Sequence, residues 1–329
     1  MKIKSKASAA AMMCLLSAVL LAACDNNDKK TESSPNESTS AVDKDQQAEP
    51  TPSEQSSKDD PVLSDYNALK STNPDISDRL KFLNENLTKL QPESADQIVR
   101  DLVAKYDEEL PSRQEPFYKE NVATALNALD WPITKDNASQ IKDDSIRTMV
   151  EAVFADGYKL EAVEGSIFPI VDYNSLRQYK TALTSAYATY IELLAQLSDQ
   201  KSMSDGGLVI TWDQFADRMM MYDQYLSQFA SSPDASKVKT MYEGALTIYM
   251  SGADNSPIYD RDGSYKLLDE VKTSYERIAK DFADTQTGKI IQGYLDVLQQ
   301  SNWQVRSTDG KSAVQAVDSY REKALAEIK

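Results

Sequence analysis

The chain has 329 residues, with 52 acidic side chains against 36 basic ones and a net charge of −16. This acidity argues against nucleic-acid binding and against direct docking on an anionic lipid surface, because both need clustered Lys and Arg. The sequence has no histidine, and its only cysteines are Cys14 and Cys24, which excludes Ser-His-Asp and Cys-His catalysis, imidazole metal sites and a disulfide in the mature protein.

Residues 1–23 have the three parts of a signal peptide. Three lysines precede an apolar run over 7–21, and small residues close it; the run is too short and wrongly flanked for a membrane span. Residues 21–24 read LAAC, which resembles the bacterial lipobox. The resemblance implies that Cys24 is diacylated on sulfur and becomes the first residue of a lipoprotein. The alternative is an ordinary secretory signal whose cysteine lies near the cleavage site by coincidence.

The lipobox resemblance predicts a location for the protein. The lipid on Cys24 would hold it in the cell membrane, facing the extracytoplasmic side, and two acyl chains anchor a soluble domain stably. Asp25 resembles the inner-membrane retention signal of Gram-negative lipoproteins, but it has no such meaning in a Gram-positive cell. The host type stays open, and both cases place the protein on the outer face of the cytoplasmic membrane.

Residues 24–60 are predicted to form a lipidated, disordered, acidic linker. After Cys24, almost every side chain up to residue 60 is polar, charged or proline, with three apolar exceptions, too few to build a core. As a flexible coil the linker would span roughly 30 to 35 Å. The mature chain keeps 33 basic and 52 acidic side chains, a net charge of −19. We expect residues 61–329 to form the extracytoplasmic domain.

That domain is predicted to be helical. Apolar residues recur at alternating spacings of three and four, which places them along one helix face. The strongest stripes cover 76–90, 176–197, 212–229 and 268–282, and weaker ones cover 96–110, 117–129, 146–155, 238–250, 290–300 and 313–328. Capping boxes are predicted at Thr211 with Gln214 and at Ser94 with Gln97. Prolines, Pro111 among them, are expected between helices. The 17 tyrosines are expected mainly at the rim of the core.

One stretch does not fit the helical pattern. Residues 157–173 have glycine at each turn and β-branched or aromatic residues between, which is typical of a hairpin. We therefore predict an all-α fold, an irregular multi-helix bundle with a small β-hairpin or extended insertion near 157–173. That insertion is also the natural seam if the helices form two subdomains.

Two local motifs resemble known functional loops. Residues 251–264 resemble an EF-hand loop, but Ile258 occupies the position of the leading carboxylate ligand, so we predict a turn and no metal. Residues 164–169, EGSIFP, and the later Gly207-Leu208-Val209 resemble the motifs of helical lytic transglycosylases. That resemblance implies a catalytic glutamate, Glu164, acting as a general acid without histidine. Here the serine is displaced by one position, and Ile210 replaces the glutamine of the motif.

Three segments carry a further resemblance. EGSIFPIVDYNSL, DGGLVITWDQFADR and GADNSPIYD look like landmarks of an uncharacterised, mostly helical lipoprotein family of Gram-positive spore-forming bacteria. The resemblance covers roughly residues 150–260. It implies where in the cell the protein is located, and it implies no activity. It suggests that the three landmarks meet in space. The resulting hypothesis is an acidic, aromatic ligand groove formed by Asp172, Tyr173, Trp212, Asp213, Asp254 and Tyr259.

These observations predict a lipid-anchored binding or scaffolding protein of the cell envelope. No catalytic residue and no cofactor are predicted, and the expected partners are the membrane, through Cys24, and an envelope protein or ligand, but not nucleic acid. A glycan-acting enzyme that uses carboxylates is one alternative. A transporter-associated substrate-binding lipoprotein is another, although such proteins usually have two α/β lobes with glycine-rich turns, and this chain has only ten glycines.

Overall fold

Helices dominate the structure, a computed structural model that describes residues 60–261 and 263–328. The predicted signal peptide, Cys24 and the linker up to residue 59 lie outside the described residues. Within them, the elements confirm the predicted all-α fold with a small hairpin. In chain order they are α1 Pro61–Lys70, α2 Ile76–Asn86, α3 Pro92–Gln114, α4 Glu120–Asn127, α5 Asp144–Ala155, β1 Tyr158–Val163, β2 Ser166–Val171, α6 Ser185–Asp199, β3 Met203–Ser204, β4 Gly207–Leu208, α7 Trp212–Gln228, α8 Ala235–Ser251, α9 Asp269–Asp281, α10 Gln286–Gln300 and α11 Gln315–Ala326.

Helix α7 shows how closely the apolar stripes predict helix ends. It begins directly after Thr211, whose side chain accepts from the backbone N–H of Gln214, while the Gln214 side chain accepts from the backbone of Thr211. This reciprocal pair is the predicted capping box, which satisfies two N–H groups that lack a partner within the helix. Helix α9 likewise fills the predicted stripe, from its N-cap at Leu268 to its C-cap at Phe282.

Three local predictions were wrong. The stripe over 176–197 is two elements, a 3₁₀ helix at Tyr173–Ala182 and α6. The break follows from Thr184, which caps α6 and also donates its hydroxyl to the Asp96 carboxylate at 2.6 Å. Ser94 caps nothing, because α3 starts earlier with proline in its first turn, where the missing N–H costs no helix bond. Pro111 lies inside α3 near its largely exposed C-terminal end.

The predicted insertion is an antiparallel hairpin of β1 and β2. Val163 pairs with Ser166, so the turn consists of Glu164 and Gly165, both with positive φ, 49° and 80°. Two left-handed residues make the type I′ turn that suits the strand twist. The hairpin packs against α3, α4 and α5. Its role as a seam between two subdomains stays a prediction.

Tyrosines fill the interior instead of its rim, contrary to the prediction. In the group formed by α7, α8, α9, α10 and α11, the rings of Tyr249, Tyr275, Tyr294 and Tyr320 follow one another, with successive centroids 4.8, 5.7 and 5.9 Å apart. The first three are fully buried. Their hydroxyls form hydrogen bonds; for example, the Tyr294 hydroxyl donates to the Met250 carbonyl at 2.8 Å. Burial of these rings therefore leaves no hydroxyl without a hydrogen-bond partner. We call this the tyrosine row, and its last member, Tyr320, lies on α11.

Among the described residues, no helix is both long enough and apolar enough to cross a membrane.

Candidate ligand-binding cavity

A polar cavity lies where α8 ends and α11 begins, on two connecting segments, one of residues 252–261 and 263–268 and the other of residues 302–314. Backbone hydrogen bonds join the two segments: Val305 N–H donates to the Tyr265 carbonyl at 2.9 Å, and Leu267 N–H donates to the Trp303 carbonyl at 2.8 Å. Such pairing holds irregular chain in one geometry, as a sheet would. Side chains on these segments are therefore positioned by a fixed backbone.

Gly252 allows α8 to turn into the first segment. Its φ is 79°, and a Cβ there would lie 2.9 Å from the Ile258 nitrogen and 3.0 Å from the Ser256 carbonyl oxygen. Both the left-handed backbone and the close approach require glycine. The turn brings residues 253–261 back across the end of α8.

The cavity has a volume of about 420 Å³, within the range of small-molecule sites, about 300 to 1,000 Å³. Four of its lining side chains are basic and two are acidic, the reverse of the balance in the whole chain. We call it the basic cavity. Its charged lining residues are Arg261, Arg306, Lys311, Arg321, Asp254 and Asp318.

Arg321 ties the cavity to the tyrosine row. Its Nε donates to the Tyr294 hydroxyl at 2.9 Å, and its guanidinium carbon lies 5.6 Å from the centre of that ring. Its Nη1 lies 3.8 Å from the Asp318 carboxylate. Its Nη2 is buried and, among the described residues, has no hydrogen-bond partner. Burial raises the pKa of Tyr294 to about 12, so this hydroxyl keeps its proton and remains a neutral partner of Arg321.

Two further arginines are held by backbone carbonyls. Arg306 donates from Nη1 to the Gly310 carbonyl at 2.9 Å, and its guanidinium carbon lies 5.5 Å from the centre of the Tyr259 ring. Arg261 donates to the Asp254 carbonyl. Each contact fixes a guanidinium through one nitrogen, and the other N–H groups of the fork have no hydrogen-bond partner within residues 60–261 and 263–328, so they can donate to a ligand. Lys311 is exposed and has no ion-pair partner among the described residues.

Of the six residues predicted to form a groove, Asp254 and Tyr259 line the basic cavity. Trp212 and Asp213 line a different cavity of about 280 Å³, together with Ser256 and Glu270. Trp212 is 92% buried, since its exposed fraction is 8%, and its ring packs against Phe215 and Tyr249.

The environment of Trp212 and Asp213 is mainly structural. Trp212 contributes to the aromatic core, and the Asp213 carboxylate lies 3.0 Å from Arg277 Nε in an exposed ion pair. Aspartate in the first turn of α7 also suits the positive end of the helix dipole. Any ligand in this smaller cavity would meet only part of the predicted groove.

Asp172 and Tyr173 lie apart from both cavities, next to α3 and β1. The Tyr173 hydroxyl donates to the Asp107 carboxylate at 3.3 Å, and Asp172 lies 3.9 Å from Lys159 Nζ. Burial raises the pKa of Tyr173 well above its usual range. The six residues predicted to form one groove therefore lie in three separate places in the structure.

The three landmark segments nevertheless meet, through other residues. Asn255 N–H donates to the Gly206 carbonyl at 2.9 Å, and the Asn255 side chain donates to the Asp205 carbonyl. The Asp205 carboxylate also neighbours that of Glu164, and this nearby acidic group raises the pKa of the Glu164 carboxyl. Glu164 is exposed at the hairpin turn, whereas a glutamate that serves as general acid needs an apolar environment.

The sequence interpretation missed the basic residues of the cavity. Arg306, Lys311 and Arg321 follow no spacing rule, because two lie on an irregular segment and one on a helix. The available signal was compositional and weak: residues 301–329 contain five basic and four acidic side chains, in a chain where acidic ones prevail. Comparison with family models, with curated proteins and with solved structures finds no significant match.

Proposed function

We propose that this protein is a lipid-anchored binding protein of the cell envelope, which holds a polar ligand in the basic cavity on the extracytoplasmic side of the membrane. The observation that carries the proposal is the cavity itself, with charged side chains converging on a space of about 420 Å³. Convergent polar groups around a preformed space are typical of ligand sites.

The arrangement of the charges favours binding over catalysis. Arg261 and Arg306 are each held through a backbone carbonyl, and Arg321 through a neutral tyrosine. Groups held in this way orient a ligand through hydrogen bonds and charge. Neither Asp254 nor Asp318 is buried, so neither has the desolvated environment that prepares a carboxylate for acid chemistry.

The membrane anchor in this proposal rests on the sequence. Residues 21–24 resemble the lipobox, and the proposed lipid on Cys24 would supply two acyl chains, enough for stable anchoring. The transporter alternative, with its two α/β lobes, gains no support from the fold, whose described sheets have two strands each.

Metabolic labelling with palmitate tests the anchor. The full chain should incorporate label and sediment with membranes, whereas Cys24→Ser should lose both. Cys14→Ser is the matched control, because it removes the other cysteine from within the apolar run and should leave labelling intact. Persistent label on Cys24→Ser, or none on the wild-type chain, would contradict the proposal.

A further inference from the structure

We infer that the ligand of the basic cavity is a small organic molecule with at least two anionic groups, carboxylates or phosphates. The inference rests on the proposed function, since it takes the cavity to be a ligand site. It goes further by assigning the chemical class of the ligand.

The lining of the basic cavity carries an excess of positive charge. Across the chain acidic side chains outnumber basic ones by 52 to 36, yet around the cavity four basic side chains face two acidic ones. Like charges brought together repel one another, so a cluster of this kind costs stability unless it is neutralised. An anion bound between these groups would supply the missing negative charge.

Arg321 has a hydrogen-bond donor that no described residue satisfies. Its Nη2 is buried and has no hydrogen-bond partner within the described part of the chain. A buried N–H without a partner loses its hydrogen bonds to water and forms none within the protein, which costs stability. The nearest carboxylate, Asp318, is 3.8 Å from the other terminal nitrogen. Because Arg321 lines the cavity, a small rotation of its guanidinium would turn this N–H toward a ligand oxyanion, and the planar fork suits carboxylate and phosphate oxygens.

A second anionic attachment point follows from Lys311. This residue lines the same cavity but is exposed, in contrast to Arg321, and has no ion-pair partner among the residues described. Arg261 and Arg306 line the cavity as well, and in the part of the chain that the structure describes each has N–H groups without a partner. One small oxyanion on Arg321 would leave Lys311 unused, whereas a ligand with two separated anionic groups engages both.

Size and polarity set the remaining limits. A volume of about 420 Å³ corresponds to roughly 14 water molecules at about 30 Å³ each, which suits a molecule of on the order of 15 heavy atoms. Of the lining side chains, most are charged or hydroxyl-bearing, so a hydrophobic ligand would leave them without partners. The Tyr259 ring offers one flat apolar surface.

Isothermal titration calorimetry of the full chain in detergent tests the inference, with tricarballylate and inorganic pyrophosphate as probes. Glucose and spermidine serve as the neutral and the cationic comparison. We expect saturable binding of at least one polyanion, and the stronger of the two identifies carboxylate or phosphate as the preferred group. Neither glucose nor spermidine should bind.

Charge removal at the cavity should weaken that binding. Lys311→Gln and Arg261→Gln change exposed side chains, so both should fold, and each should weaken binding about tenfold, as for a lost hydrogen bond to a charged group. Lys81→Gln is the matched control, because it removes one charge from an exposed site on α2 and should leave affinity unchanged. Equal affinity in Lys311→Gln, Arg261→Gln and wild type would overturn the inference.

Two outcomes separate this inference from the proposed function. If neither polyanion binds at millimolar concentration while palmitate labelling of Cys24 succeeds, the anionic ligand class is wrong and the anchored protein stands. If glucose or spermidine binds in place of the polyanions, the cavity is a ligand site of another class, and the inference again fails.

Discussion

Replacement of Gly288 by alanine should destabilise the protein by about 1 to 3 kcal/mol. Gly288 lies in the first turn of α10, and its N–H donates to the Thr285 hydroxyl at 3.0 Å. A Cβ at this position would lie 1.9 Å from the Phe282 carbonyl oxygen and 2.6 Å from its carbon. Because these are backbone atoms, no side-chain rotation relieves the overlap.

The magnitude follows from three contributions. Contacts of a Cβ below 3.0 Å essentially do not occur, so the chain between α9 and α10 must move by about 1 Å. Overpacking of this kind costs about 1 to 3 kcal/mol. Weakening the hydrogen bond from Gly288 to the Thr285 cap costs about 1 kcal/mol more. Alanine regains about 0.5 to 1 kcal/mol of helix propensity, which leaves the net cost stated above.

Gly244→Ala is the matched control. Gly244 lies in the interior of α8, and no heavy atom lies within 4 Å of a Cβ built there. This variant should therefore stabilise the protein by about 0.5 to 1 kcal/mol. Urea unfolding followed by circular dichroism measures both free energies, with an unchanged slope as the sign that only stability has altered. A Gly288→Ala protein as stable as Gly244→Ala would refute the reasoning.

Three further predictions concern stability and the predicted groove. Arg100→Met leaves the Asp234 carboxylate, which is 1% exposed, without the guanidinium that now donates to it at 2.7 and 3.2 Å. Because Arg100 is 28% exposed, we expect urea unfolding to show a loss of unfolding free energy near the lower end of the usual range of about 3 to 5 kcal/mol, mostly recovered in Arg100→Met/Asp234→Leu. A single variant as stable as wild type would contradict a stabilising role for this ion pair. Burial opposes ionisation of Asp101, but hydrogen bonds and neighbouring cations outweigh it and lower its pKa. Asp101 therefore stabilises the fold above its ordinary pKa of 3.8 and loses that effect as pH falls below it, so the stability difference between wild type and Asp101→Asn should shrink in acid; a difference independent of pH would be contrary evidence. Trp212→Ala should cost about 3 to 5 kcal/mol and Asp213→Ala at most about 1 kcal/mol in thermal melting, and equal losses would show that Trp212 is not a core residue.

The helices could be predicted largely from the sequence because their packing requires an apolar stripe. α7 and α9 fill their stripes almost to the residue, since a core on one side and solvent on the other fix the periodicity. The same rule failed over 176–197, where apolar spacing continues through a break. Thr184 makes that break, and the carboxylate of Asp96, which fixes it, lies on α3, 88 positions away in the chain. No local pattern contains that contact.

The candidate site could be predicted only in part. Asp254 and Tyr259 lie on a loop whose polarity and turn residues mark it as exposed and irregular, and both line the basic cavity. Arg306 and Lys311 belong to a segment without periodicity, and what brings them to Asp254 is backbone pairing between two loops. Such pairing depends on which carbonyl faces which N–H, and single-sequence patterns carry no such information.

The position of the basic cavity in the chain has a consequence for biosynthesis. A ribosome makes the protein from its amino terminus, and the cavity wall is incomplete until Arg321 has been added. A chain stopped after residue 300 would already contain α1 to α10, yet it would lack Arg306, Lys311 and α11. Nascent or prematurely terminated molecules would therefore contain ten of the eleven α-helices described before the wall of the basic cavity is complete.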